Sequence, residues 1–140
     1  TDALVTLCQA ACRAAIRRGI VPAAMAKVVP NGIRVESFPT ANAAMRERLL
    51  RILQMPVQTW VIGNVGRLNW AKDQAGLIRA FRQVHEERPD TVLVLIGDGE
   101  LRAELQQCAI TEGVADSVHF LGDRTEVRDL LQGFDLFVLS

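Results

Sequence analysis

The residues of this sequence best suited to chemistry are two cations in the segment Gly66-Arg67-Leu68-Asn69-Trp70-Ala71-Lys72-Asp73. The segment follows the apolar run at 60–65 and precedes an amphipathic stretch, an order that predicts a buried strand, a short loop and a helix. Helix N-termini present unpaired N–H groups and a partial positive charge. The guanidinium of Arg67 and the ammonium of Lys72 beside such a terminus would suit a doubly charged anion, most simply a diphosphate.

The alternative is that both cations are ordinary surface charges. They could be fully solvated, or could form weak ion pairs with Asp73 and Glu100. Gly66 favours the binding interpretation, because a glycine lets a ligand approach the backbone closely. The position of this loop, after a predicted strand and before a predicted helix, supports the two interpretations about equally.

A second glycine-rich turn, Gly97-Asp98-Gly99-Glu100, follows the apolar run at 91–96. A dinucleotide fingerprint would need a further glycine where this chain has Arg102, and the segment at 63–66 also lacks that spacing, so an NAD site is disfavoured. A tight turn with Asp98 or Gly99 at the start of the next helix explains the segment without a ligand.

A third turn, at 121–126, closes the next apolar run. Asp123 and Glu126 have the spacing of a capping box, so helix capping is the default interpretation of both. The same loop would line the crevice beyond the strand ends, where its backbone could contact the base of a ligand.

Composition excludes several other kinds of protein. The 140 residues fit one domain, and sixteen basic against sixteen acidic residues argue against a general nucleic-acid surface. No apolar run approaches the ~20 residues that span a bilayer, and we expect no secretory leader. Neither a disulfide framework, a metal site nor a catalytic triad is indicated by the three cysteines and two histidines: Cys8, Cys12, Cys108, His85 and His119.

The apolar runs at 60–65, 91–96, 117–121 and 134–139 alternate with helical patterns. This alternation predicts an α/β fold, with a parallel sheet flanked by helices. Residues 1–56 have a different pattern of apolar and polar residues, which we interpret as strand, helix, connector and helix. We therefore divide the chain into 1–56 and 57–140, and expect the chain to begin and to end within a longer protein.

The ordered motifs resemble one family, the GT-B glycosyltransferases of family 4 (glycosyl transferases group 1). In the Rossmann-like, donor-binding C-terminal domain of that family, similar segments follow one another at similar spacing. The matching segments of this chain are 65–68, 72–73, 77–81, 95–99, 118–122 and 135–140, and 29–33 followed by Phe38 is similar to the interdomain connector.

The resemblance implies a fragment of a retaining enzyme that transfers a sugar from a nucleotide-diphosphate-sugar donor to a glycan or lipid-linked acceptor. By that resemblance Gly66, Arg67 and Lys72 bind the donor diphosphate, and no metal or other cofactor is required. The loop that contacts the nucleotide base would contain Gly122, Asp123, Arg124 and Glu126. The paired glutamates of the family would lie beyond Ser140, so no catalytic residue is expected within this chain, which would be inactive alone.

The resemblance further implies a hexosyltransferase-type parent that works in polysaccharide or lipopolysaccharide assembly and binds its acceptor through a domain outside this chain. We expect a cytoplasmic protein, and peripheral contact with the inner membrane through other parts is left open. Two rival interpretations are a non-catalytic nucleotide-binding or regulatory α/β module, and a GT-B sugar epimerase.

Overall fold

The computed structural model describes residues 3–34 and 43–140. The chain divides into two compact units, Thr1–Phe38 and Pro39–Ser140. This division lies earlier than the one at residues 56 and 57 that the sequence predicts, and it assigns the helix after the connector to the second unit. Phe38, part of the connector resemblance, lies outside the described residues.

The first unit contains a small parallel pair of strands joined through a helix. Strand β1 (Leu4–Thr6) pairs with β2 (Ala26–Val28), and helix α1 (Gln9–Arg17) lies between them in sequence, followed by a 3-10 turn at Ala23–Met25. Cys12 is buried on α1 whereas Cys8 is exposed. Cys12 therefore acts as a small packing residue, and the two thiols do not share one environment.

The second unit is built on a four-stranded sheet with the order β5-β4-β3-β6. Its strands are β3 (Trp60–Val65), β4 (Thr91–Ile96), β5 (Val118–Gly122) and β6 (Leu136–Phe137). All three strand pairings are parallel, which confirms the predicted class and brings the carboxyl ends of the strands to one edge.

In the described part of this unit, four helices cover the two faces of the sheet: α2 (Ala43–Leu53), α3 (Gln74–Glu87), α4 (Arg102–Thr111) and α5 (Val127–Leu131). Leu93 and Leu95 of β4 pack in one core with residues of α3 and α4. Val92 and Val94 pack in the opposite core with residues of α2 and α5. Burial on both faces explains why β4 is continuously apolar. Among the described helices, none is long and apolar enough to cross a bilayer.

Helix α2 is part of the second unit because the apolar face of this helix packs against the sheet. Leu49, Leu50 and Leu53 are buried in the same core as Val61. The guanidinium of Arg46 donates hydrogen bonds to the Asp135 carboxylate at 2.6 Å and to the Thr59 carbonyl at 2.7 Å. These contacts tie α2 to the sheet and explain why the boundary between the two units lies before this helix rather than after it.

Strand β6 is shorter than the apolar run predicts, because a side chain replaces part of its pairing. The Asp135 carboxylate accepts a hydrogen bond from the Val61 amide at 2.7 Å, while the Asp135 amide donates to the Val61 carbonyl at 2.9 Å. Farther along, the Asn64 side-chain amide donates to the Val138 carbonyl at 2.8 Å. The chain after β6 is thus anchored along β3.

His119, in β5, gives the fold a pH dependence. Burial lowers the pKa of His119, so the folded state resists a proton that the unfolded chain accepts below about pH 6.5. The stability contributed by neutral His119 is therefore fully present above that pH and decreases as the pH falls through it. We expect His119→Gln to lose less free energy of unfolding than the wild type between pH 7.5 and 5.5, measured by urea denaturation. Parallel losses in both proteins would contradict this assignment.

Candidate functional site

A cleft of about 420 Å³ lies at the carboxyl ends of β3, β4 and β5. It brings together three loops that the sequence presents separately. The lining residues are Val65, Gly66, Arg67, Ile96, Gly97, Asp98, Asp123, Arg124 and Val127. The cleft therefore combines the predicted diphosphate loop with part of the predicted base loop.

Arg67 contributes an accessible cation to this cleft. Its side chain is 72% exposed, and its Nη2 lies 3.5 Å from Oε2 of Glu100, whose side chain is 52% exposed. The predicted ion pair with Glu100 is thus present, but water screens a pair of this exposure and makes it weak. An anion with more charge than one carboxylate could therefore compete for the guanidinium.

The backbone around Arg67 is held firmly, although its side chain is exposed and only weakly paired. The next residue, Leu68, is fully buried. Its amide donates to the Asp98 carbonyl at 3.0 Å, and its carbonyl accepts from the Leu101 amide at 3.2 Å. The loop after β3 is thereby fixed to the loop after β4.

Lys72 lies beside the cleft but is not among the residues that line it. Its Cε is 3.8 Å from the point that a Cβ on Gly66 would occupy, so the stem of the side chain passes over that glycine. The backbone turns at Asp73, which has a left-handed φ of 42° and whose carboxylate caps α3 by accepting from the Gly76 amide at 3.1 Å. The Lys72 carbonyl accepts a hydrogen bond from the Ser140 hydroxyl.

Gly97 forms the floor of the cleft. Its φ of +123° is a conformation that glycine alone adopts readily, and a Cβ there would overlap the Gly66 carbonyl. The Gly97 amide donates to the Gly122 carbonyl at 2.9 Å. Three loops therefore meet through glycine backbone, which leaves room above them for a ligand.

Arg102 occupies the place of the missing fingerprint glycine and joins two walls of the cleft. Its Nη1 donates to the Asp98 carboxylate at 3.2 Å, and its Nη2 donates to the Phe120 carbonyl at 3.3 Å. Helix α4 begins at Arg102, with Leu101 at the N-cap position. The expectation that Asp98 or Gly99 starts this helix was therefore wrong, because the Asp98 side chain pairs with Arg102 instead.

The predicted base loop is only partly in the cleft. Asp123 and Arg124 line it, Gly122 contributes its carbonyl at the floor, and Glu126 does not line it. The Nε of Arg124 donates to the Leu121 carbonyl at 3.1 Å, so this side chain folds back on its own loop.

The predicted capping box is wrong. Glu126 itself occupies the N-cap position of α5, with no capping hydrogen bond from its side chain. The Thr125 hydroxyl donates to the Glu126 carboxylate at 3.2 Å. The pKa of Glu126 is lowered, chiefly because its own backbone amide donates to the carboxylate, with smaller contributions from Thr125 and Arg124. Glu126 therefore stabilises the loop locally.

Sequence reasoning missed Gln74, the first residue of α3. It is 1% exposed, and its Nε2 donates to the Arg67 carbonyl at 3.0 Å. Gln74 shares the buried face of α3 with Leu77, Ile78 and Phe81. A polar residue at the spacing of an apolar face is the signal that could have identified it.

The other candidates have structural roles or none. His85 lies between Thr91, whose carbonyl is 3.1 Å from Nδ1, and Ser117, whose hydroxyl is 3.2 Å from Nε2. Trp70 lies between Arg67 and Lys72 in the loop after β3 (the cation loop), and it is 82% exposed. Within residues 3–34 and 43–140, the structure brings no three His, Cys, Asp or Glu side chains together in a way that could hold a metal ion.

Comparison with known families identifies one model, that of the glycosyl transferases group 1, which matches residues 45–140. The match begins within α2 and includes every strand of the second unit. It therefore covers all three loops of the cleft.

Individual relatives are also similar to this chain. The lipopolysaccharide core biosynthesis glycosyltransferase LpsD of Rhizobium meliloti (strain 1021) is 38% identical over 88 residues, which are 63% of this chain and 24% of that protein. The UDP-Gal:alpha-D-GlcNAc-diphosphoundecaprenol alpha-1,3-galactosyltransferase of Escherichia coli is 32% identical over 117 residues, 80% of this chain and 30% of that protein. The chain thus spans less than a third of the length of these curated relatives.

Among solved structures, Anabaena Alr3699/HepE in complex with UDP and glucose superposes with a TM-score of 0.87 at 26% identity. The match covers all of this chain and 38% of the other. The architecture described above is therefore one that a known UDP complex also has.

Proposed function

This chain belongs to the glycosyl transferases group 1 family, and from that premise we propose that it is the front part of the donor-binding domain of a retaining, family 4 GT-B glycosyltransferase. The parent enzyme transfers a sugar from a nucleotide-diphosphate-sugar donor to a glycan or lipid-linked acceptor. The observation that carries this proposal is the cleft at the carboxyl strand ends, which Arg67 lines and Lys72 adjoins.

Charge development explains why two cations belong there. When the glycosidic bond of the donor breaks, negative charge builds up on the departing diphosphate. The guanidinium of Arg67 can bind two phosphate oxygens with its fork of N–H donors, while the ammonium of Lys72 acts as a compact point charge. Cations that are fixed before the reaction stabilise this charge without rearranging, so no metal ion is needed for the transfer.

The nucleotide would extend from the cations toward the loop after β5. Asp123 and Arg124 line that end of the cleft, and in this proposal the backbone from Gly122 onward contacts the base. Alr3699/HepE, which has a similar fold and was crystallised with UDP and glucose, supports nucleotide binding by this fold. We propose that backbone groups make most of the contacts to the base, and that these contacts determine which base is preferred.

The remaining parts of the enzyme lie outside these 140 residues in this proposal. Because the chain spans less than a third of its curated relatives, we assign acceptor binding and the remaining donor contacts to other segments. The first unit would be the end of the preceding domain and its connector. We place the enzyme in the cytoplasm, in polysaccharide or lipopolysaccharide assembly; LpsD, a lipopolysaccharide core biosynthesis enzyme, supports that setting.

Thermal melting of the chain with UDP, GDP or ADP tests the binding claim. A nucleoside diphosphate at ten times its dissociation constant should stabilise the folded state by about 1.4 kcal/mol, which raises the melting temperature by a few degrees. Uridine, guanosine and adenosine serve as controls, since they lack the charge that Arg67 and Lys72 would hold. An unchanged melting temperature with all three diphosphates would contradict donor binding by this chain.

A further inference from the structure

The contact between Gln74 and Arg67 goes beyond what packing of α3 requires. The Gln74 Nε2 donates to the Arg67 carbonyl at 3.0 Å. A backbone carbonyl only accepts hydrogen bonds, so this contact fixes the orientation of the side-chain amide. The nitrogen faces the cation loop, and Oε1 points away from it.

This arrangement is unfavourable for the core. Oε1 of Gln74 is buried and has no hydrogen-bond partner in the described part of the chain. Burying an unpaired polar atom costs stability, and the neighbours on this face, Leu77, Ile78 and Phe81, are apolar. A methionine of similar length would fill the site without that cost. Places where a sequence departs from good packing are often sites of function.

The contact acts on the Arg67 carbonyl, which also accepts a hydrogen bond from the Asn69 amide of the same loop at 3.0 Å. Leu68, the next residue, already bonds to the loop after β4 through both its amide and its carbonyl. Gln74 holds the carbonyl end of the Arg67–Leu68 peptide from the helix side, while the Asp98 carbonyl accepts from its N–H end. Among the described residues, the Arg67 side chain is paired only with Glu100, and that pair is weak. With its backbone held on both sides, the guanidinium samples a smaller region around the cleft.

We propose that Gln74 is a positioning residue that holds Arg67 in the conformation that contacts the donor diphosphate. This inference rests on the proposed function. It predicts that loss of the Gln74 amide weakens recognition of the second phosphate and leaves recognition of the rest of the nucleotide intact.

The test compares each diphosphate with its monophosphate by isothermal titration calorimetry, using the pairs UDP and UMP, GDP and GMP, and ADP and AMP. For the pair that binds, we expect Gln74→Met to reduce the preference for the diphosphate by about fivefold, the effect of one hydrogen bond, with little change in monophosphate affinity. Gln83→Met is the matched control, since Gln83 is an exposed glutamine on the same helix. In an Arg67→Ala background, Gln74→Met should have no further effect on the preference.

Gln74→Glu gives a second readout that a purely structural role would not produce. An ionised carboxylate cannot donate to the Arg67 carbonyl, whereas a protonated one can. The diphosphate preference of this variant, measured against wild type at each pH, should therefore recover as the pH is lowered.

The outcomes separate the two proposals. If the wild type prefers the diphosphate and Gln74→Met keeps that preference, or loses affinity for both ligands equally, the positioning role is overturned and the proposed function stands. If the wild type shows no preference in any pair, the diphosphate contact of Arg67 fails, and the role of Gln74 fails with it.

Discussion

Replacing Arg67 or Lys72 with alanine in the intact enzyme is expected to lower the rate of sugar transfer by about 10²–10³-fold, as does the loss of a group that stabilises charge in a transition state. Arg67 lines the cleft, and the stem of Lys72 passes over Gly66 beside it. Both cations would act on charge that grows as the donor bond breaks, so the loss should fall mainly on kcat. Steady-state kinetics with the natural donor measures it.

Two further variants sharpen this experiment. Arg67→Lys keeps the charge but loses the two-pronged hydrogen bond, so its rate should lie between those of wild type and Arg67→Ala. Arg79→Ala removes an exposed cation from α3 away from the cleft and should leave transfer unchanged. Normal turnover of both Arg67→Ala and Lys72→Ala would refute the assignment of these cations.

Gly97→Ala is expected to destabilise the second unit by about 2–5 kcal/mol, because it combines backbone strain with a collision inside a packed loop. The φ of +123° is unfavourable for alanine, and the added Cβ would overlap the Gly66 carbonyl. Either the loop after β4 or the loop after β3 must move, and both line the cleft. Thermal or urea unfolding should show a melting temperature lower by about 10 °C or more.

Gly113→Ala is the matched control for this effect. Gly113 also has a left-handed φ, of +75°, but a Cβ there would meet nothing within 4 Å. Its substitution should cost about 1 kcal/mol, from backbone strain alone. Equal losses in the two variants would show that the close approach of Gly97 to Gly66 contributes nothing.

Much of the fold could be predicted because its signals are local in the sequence. Strands β3 and β4 have the bounds of their apolar runs, since each is buried along most of its length. The boundary between the two units could not be predicted from local signals of this kind. The sequence shows that α2 is amphipathic but does not show that its apolar face covers Val61 and Val94.

Errors in the loops have a similar cause. The sequence suggested that Asp98 or Gly99 starts a helix, and the spacing of Asp123 and Glu126 suggested a capping box. In the structure the Asp98 carboxylate pairs with Arg102, while Glu126 accepts from Thr125. A carboxylate near a helix start has several possible donors, and the tertiary arrangement decides among them.

The site was predictable as a set of loops but not as an assembled cleft. The chain pattern indicated that glycine-rich turns end the strands, and parallel pairing then places them at one edge. It did not indicate that Gly97 contacts both Gly66 and Gly122, that Arg102 joins two walls, or that Gln74 holds the Arg67 backbone. These are contacts between side chains and distant backbone groups, which periodicity does not report.

The central claim is that the two cations after β3 hold a diphosphate, and a crystal structure of this chain with the nucleoside diphosphate that binds it tests the claim most directly. The account predicts phosphate oxygens within about 2.7–3.2 Å of the Arg67 guanidinium and of the Lys72 ammonium. It also predicts that the base lies toward Asp123 and Arg124. A nucleotide seated elsewhere, or one whose phosphates face solvent while Arg67 stays paired with Glu100, would contradict it.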